Sequence, residues 1–269
     1  MRTLALAWRQ LRRDLAAGDV RILFAALVLA VVAVTSVGFV TDRAERALAI
    51  EANRLLGGDV VVRGDAPPTD ALRTLAAAPG LRATETQELQ SMIRAGESLS
   101  LGDLRALGDG FPLRGSFRVV DRTGGVERDA GGIPAPGTLW ISQAGAETLG
   151  ARPGDEIGIG TRTLKLAALV TQEPDAALDY FNVAPKVFLN LADLPSTGLV
   201  QEGSRLRYRL VVAGDAAAVE TFTAAVKPQL ARGQRMETIQ DARPEVRSAL
   251  DRASRFLGLA ALVSVVLAA

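Results

Sequence analysis

The chemistry open to this chain is bounded by two absences: none of its 269 residues is His or Cys. Without His, neither a Ser-His-Asp triad nor an HExxH zinc helix can be assembled. Without Cys there is no thiolate nucleophile, Cys-ligated zinc or disulfide, and the lack of disulfides leaves the compartment open. What remains is carboxylate, Lys or Ser/Lys chemistry, and the lysines Lys165, Lys186 and Lys227 stand singly. The carboxylates Glu85 and Glu88, Asp103 and Asp109, and Asp175 and Asp179 show no metal-ligand pattern and read as solvated charge, because ionised carboxylates are seldom buried unless paired. Gly158-Ile-Gly160 lacks the third glycine and following helix of a dinucleotide fingerprint and reads as a strand turn. No Gly-Lys dipeptide exists, so the chain has no P-loop with which to hydrolyse ATP. No catalytic, cofactor-binding or metal-binding residue is assigned, and the chain is expected not to be an enzyme. Arg205, Arg207 and Arg209 alternate with Leu206, Tyr208 and Leu210 as the basic face of a half-buried strand. That face could meet an anionic headgroup or partner, but a solvent-facing strand with a charge-protected edge is the expectation. A formal net charge of +1 argues against nucleic acid as a partner.

Such residues must be positioned by elements, and the first element belongs to a membrane. Residues 22–40 carry no charge and are interrupted only by Thr35, Ser36 and Gly38. As a helix they span about 28 Å, close to the thickness of a hydrocarbon core, and are read as transmembrane helix 1. Arg2, Arg9, Arg12, Arg13 and Arg21 precede the run against Asp14 and Asp19, which places the N-terminus in the cytoplasm. A cleaved signal peptide is the competing reading, but both the basic segment and the apolar run are long for one. Within residues 1–21, Leu4, Trp8, Leu11 and Leu15 form a stripe suited to a basic amphipathic helix on the inner membrane surface. A basic tail that only sets orientation is the alternative. Residues 256–269 are again uncharged and too few to cross a bilayer, so they are read as the start of a second transmembrane helix in the N-terminal piece of a longer protein. A buried helix of a soluble domain is the alternative there.

Residues 41–255 are therefore expected outside the cytoplasm. Stalk helices are predicted over 41–56, from the stripe Ala44, Leu48, Ala52 and Leu55, and over 244–255, from Val246, Ala249, Leu250 and Ala253. The interior reads as α+β. Strands are predicted at 59–63, 138–141, 156–160, 162–170 and 205–212, and a hairpin over 88–94 and 98–107. Helices are predicted at 70–78, capped by Thr69, at 142–149, closing at Gly150, and at 215–231.

Several stretches carry a family resemblance: Leu55-Leu-Gly-Gly-Asp-Val60, Phe111-Pro-Leu-Arg-Gly115, Leu178-Asp-Tyr-Phe-Asn-Val-Ala-Pro185, Val187-Phe-Leu-Asn-Leu-Ala-Asp-Leu194, Thr197-Gly-Leu199 and Gly203-Ser-Arg205. With the layout, they resemble the MacB/FtsX-type permeases of ABC transporters, nearest their YbbP branch. The resemblance implies an inner-membrane permease subunit with a MacB-like periplasmic core domain, and a separate cytoplasmic ABC ATPase of the YbbA type. It also implies a homodimer of the full-length permease, contact with the lipid bilayer, a hydrophobic or lipid-linked cargo and, by genome context, a lysophospholipase or esterase-type partner. The motif residues singled out on this basis are Phe111, Pro112, Leu113, Arg114, Gly115, Phe181, Asn182 and Pro185. Gly and Pro being turn-formers, loops that fix the packing of the domain are the plainer reading of them. The rival layouts are a two-helix membrane sensor with an extracytoplasmic ligand domain and a membrane-anchored hydrolase using a Ser/Lys or carboxylate site.

Overall fold

A computed structural model of the chain describes residues 24–25, 28–29, 31–32, 35–36, 38–39, 43, 56–175, 184–201, 203–238, 252 and 255. The chain divides into two compact units, Met1–Ala49 with Arg243–Ala269, and Ile50–Ala242. In the first unit the described positions are helical, and the hydroxyl of Thr35 donates to the carbonyl of Val31 at 2.7 Å, the local bond that satisfies a polar side chain on a helix. Among the described residues no helix is long and apolar enough to cross a membrane. The whole basic segment 1–21, nine of the nineteen residues of the predicted span 22–40, most of both stalks and all of 256–269 lie outside the described residues.

The second unit is α+β. Its strands are β1 (Val60–Gly64), β2 (Leu81–Ala95), β3 (Ser98–Leu107), β4 (Arg118–Val120), β5 (Arg128–Asp129), β6 (Thr138–Ser142), β7 (Glu156–Ile159), β8 (Arg162–Gln172), β9 (Lys186–Asn190), β10 (Arg207–Gly214) and β11 (Arg235–Thr238). Its helices are α1 (Asp70–Ala76), α2 (Gln143–Leu149) and α3 (Ala216–Val226). The strands run in the order β11-β1-β10-β2-β3-β9-β6-β8-β4-β5, and β7 pairs with both β2 and β8. That extra strand closes β2, β3, β9, β6, β8 and β7 into a ring, leaving β11, β1 and β10 as an open wing that shares β2.

Each half follows from period-2 patterning. Inside the ring, Ile93 meets Ile159, Ile157 meets Leu164, Leu139 meets Leu189 and Ile141 meets Val187 across neighbouring strands, all essentially inaccessible to solvent. Helix α2 adds Ala146 and Leu149 to that cluster. Its start is fixed by the Ser142 hydroxyl, which accepts from the Gly145 amide at 3.2 Å. On the wing, Val60, Val62, Leu210 and Val212 point to one face and pack against Leu72 and Ala76 of α1 and Phe222 and Val226 of α3. Thr69 caps α1 as the sequence predicts. The predicted helix over 215–231 ends as α-helix at Val226, because Pro228 follows in a short 3₁₀ turn.

The opposite face of the wing is different in kind. Its deeper part holds Val61, Val211, Leu107, Phe111, Phe117, Trp140 and Phe188, with Phe117 meeting the rings of Trp140 and Phe188 edge-on at 5.5 and 5.2 Å. Its upper part is charged. Two expectations are corrected there. Strand β10 is central, between β1 and β2, and Arg209 is only 3% exposed, so Arg205, Arg207 and Arg209 are not an edge-protecting solvent face throughout. Asp175, expected as solvated charge, is buried at 6% exposure because two arginines pair with it.

Candidate functional site

Strand β2 is shared by ring and wing, and a cleft of about 1050 Å³ opens where they diverge. Sheet register sets its charged wall. On β10, Arg209 lies opposite Arg63 of β1, and Arg207 lies opposite Glu88 of β2, which in turn faces Arg105 of β3. Asp175, just beyond the end of β8, supplies the counter-charge. Arg105 grips both its carboxylate oxygens, at 2.6 Å through Nη1 and through a second short bond from Nη2. Arg209 donates through Nη1 to Asp175 and to Glu88, at 2.9 Å each. At the side, Lys186 Nζ sits 3.0 Å from Glu173 and Arg63 Nε 3.0 Å from Glu237.

Burial alone would raise the Asp175 carboxyl, but the charges and hydrogen bonds of Arg105 and Arg209 outweigh it and hold the group well below the carboxylate range. Glu88 is lowered in the same way. Glu173 goes up, since its burial exceeds what Lys186 returns. Arg63 is lowered by burial and then by the charge of Arg209 beside it.

The family-motif residues Phe111 to Gly115 form a loop under this network. The Arg105 guanidinium stacks on the Phe111 ring at 4.9 Å. Leu113 and Arg114 donate their amides to the Gly57 carbonyl at 2.9 and 3.1 Å, and Arg114 takes Asp59 through Nε and Nη2 at 3.1 and 2.9 Å. Asp59 also accepts the Gly214 amide. Gly57 must be glycine: its φ is +69°, and a Cβ would stand 3.0 Å from the Phe111 ring and 3.7 Å from Asp175 Cβ. The loop from Phe111, a cis bond to Pro112 and on to Gly115 therefore clamps Gly57 and Asp59, just past the predicted first stalk. Pro185 sits elsewhere, accepting the Asp103 amide at 2.9 Å beside Gly102. Phe181 and Asn182 lie outside the described residues. Sequence reasoning missed Arg105, Glu88 and Arg63 as a unit, because they are spread over three strands with no common spacing.

Among the described residues no cluster of acidic groups suits a metal ion. The Ser142 hydroxyl is engaged as a helix cap and also accepts the Lys186 amide, while the Lys186 ammonium is held by Glu173. What the geometry builds is a rigid charged wall tied to the base of the domain.

No family model matches the chain. Over 261 residues, 97% of its length, it is 29% identical to YbbP of Escherichia coli (strain K12), named as an uncharacterized ABC transporter permease. The chain is similar to an ABC transporter permease. It spans 31% of the length of that YbbP relative. Two solved structures are also similar. The periplasmic region of MacB from Actinobacillus actinomycetemcomitans has 11% identity and a TM-score of 0.45, over 72% of this chain and 95% of that one. The extracellular domain of the ABC-type transporter YknZ from Gram-positive bacteria has 10% identity and a TM-score of 0.44, over 66% of this chain and 100% of that one.

Proposed function

We propose that the chain is the N-terminal part of an ABC transporter permease subunit of the YbbP type, whose second unit is an extracytoplasmic domain moved by a separate cytoplasmic ATPase. The observation that carries this reading is the similarity to YbbP along nearly the whole chain. The geometry supports it. The motif at Gly57 to Asp59, reached directly from the predicted first stalk, is bolted to the Phe111 to Gly115 loop and through Phe111 to the buried ion network. A pull delivered at Gly57 would reach the domain through these bonded contacts. The cargo in this reading is hydrophobic or lipid-linked, and the working form is a permease homodimer with two ATPase subunits in the inner membrane.

The test is to isolate the natural full-length protein from membranes in mild detergent and identify its stoichiometric partners. A P-loop ATPase bound in a fixed ratio, released or retained according to nucleotide, is the expected result. A full-length protein that carries a cytoplasmic signalling module and no ATPase would replace the transporter reading with that of a sensor.

A further inference from the structure

Three arginines stand abreast on the wing: Arg235 of β11 is in register with Arg63 of β1, and Arg63 with Arg209 of β10. Like charges directly opposite on neighbouring strands repel. The protein neutralises only part of this row. Glu237 takes Arg63, and Glu88 with Asp175 takes one nitrogen of Arg209. The other two nitrogens of Arg209, Nε and Nη2, are buried without a hydrogen-bond partner although the side chain is 3% exposed. A buried guanidinium N–H left unbonded is costly, so a native protein holding two has reason to meet an acceptor there. Toward the mouth of the same cleft stand Arg207, in register with Glu88 but with its side chain not bonded to it, and Arg205, both exposed and without a salt bridge among the described residues. Arg63 feels the surplus, since its pKa is depressed by burial and by Arg209.

We propose that this cleft is an oxyanion site, with Arg205 and Arg207 capturing a phosphate group at the mouth and Arg209 presenting its spare donors behind them. Guanidinium groups suit phosphate because their planar fork donates in pairs to its oxygens. Of the carboxylates that line the cleft, Glu88 and Asp175 are committed to Arg105 and Arg209 and Glu173 to Lys186, while Asp103 accepts from Gln90 and Asp65 stands at the side. The phosphate can come from solution or from a phospholipid headgroup, and the same arginines would read either. The inference goes beyond the transporter reading and does not depend on it.

The full 269-residue chain in neutral detergent is titrated by calorimetry with inorganic phosphate, with dihexanoyl phosphatidylglycerol, and with chloride at matched ionic strength. Arg205→Gln and Arg207→Gln are the variants, since neither residue holds an ion pair among the described residues. Saturable one-site binding that either variant weakens by about tenfold or more is expected, a tenfold change being about 1.4 kcal/mol. Binding of both probes means that phosphate itself is read. Binding of the lipid alone assigns the site to a headgroup. No saturable binding of either probe, binding equally strong in both variants, or binding matched by chloride would overturn the site.

Discussion

Asp175 shows how a single residue organises this wing. A carboxylate with two guanidinium partners and almost no solvent is stable only as a complete set, because removing one member leaves an uncompensated buried charge. Asp175→Asn should therefore lower stability by about 3–5 kcal/mol at neutral pH. The pH dependence has a definite sign. The folded carboxyl titrates below the unfolded value of about 3.9, so its stabilisation is complete above that pH and is lost as pH falls through the folded value. Urea unfolding of a Trp8→Phe background, followed by Trp140 fluorescence, should lose stability below about pH 4 more steeply with Asp175 than with Asn. Equal slopes would mean that the arginines do not hold the carboxylate. Gly57 tests the clamp in the same assay. An alanine there meets both a left-handed backbone and the Phe111 ring, and should cost about 1–3 kcal/mol.

At the scale of elements, the ring and the wing differ in how openly they are written. In the ring, β7 and the first part of β8 alternate apolar and polar residues, while β6 and β9 are short apolar runs buried on both faces, and β3, β6, β7 and most of β8 lie within the stretches read as strands. Truncating Leu139, which is fully buried, should cost about 2–5 kcal/mol. Replacing Leu99 by Ser at the 61% exposed tip of the hairpin should stay within about 0.5 kcal/mol. Strand β2 was legible only from Glu88 onward. Its first half, Leu81 to Gln87, turns Thr84 and Thr86 inward instead of aliphatic residues, so a reading keyed to hydrophobic periodicity stops short. The same cause hid the cleft. Arg209 looked like a solvent residue because burial by pairing with distant Asp175 and Glu88 leaves no trace in local spacing. The short strands β4, β5 and β11 are too brief to show a period at all, and β9 was visible only as a family stretch. The Phe111 to Gly115 loop is legible only through resemblance, and nothing in its spacing foretells that Leu113 and Arg114 donate to the Gly57 carbonyl.

At the scale of the whole molecule, the decisive property is orientation, because an ATPase and a phosphate-bearing ligand would approach from opposite sides of a membrane in the readings proposed above. The absence of Cys makes this directly measurable, since any introduced thiol is the sole thiol of the chain. Val126 is 90% exposed on the second unit, between β4 and β5, where a substitution disturbs no packing. Arg9 lies in the basic segment before the apolar run 22–40. The excess of arginine before that run sets the expected polarity, as positive flanks stay on the cytoplasmic side. Val126→Cys should react with a membrane-impermeant maleimide in intact spheroplasts, and Arg9→Cys only after the membrane is permeabilised. Labelling of Arg9→Cys in intact cells with protection of Val126→Cys would invert the molecule, placing the arginine cleft on the ATPase side and removing the mechanical coupling proposed for the first stalk. Labelling of both in intact cells would mean that the apolar run does not separate them across a bilayer, and the unit carrying Gly57, Phe111 and Asp175 would then have to act without a transmembrane lever.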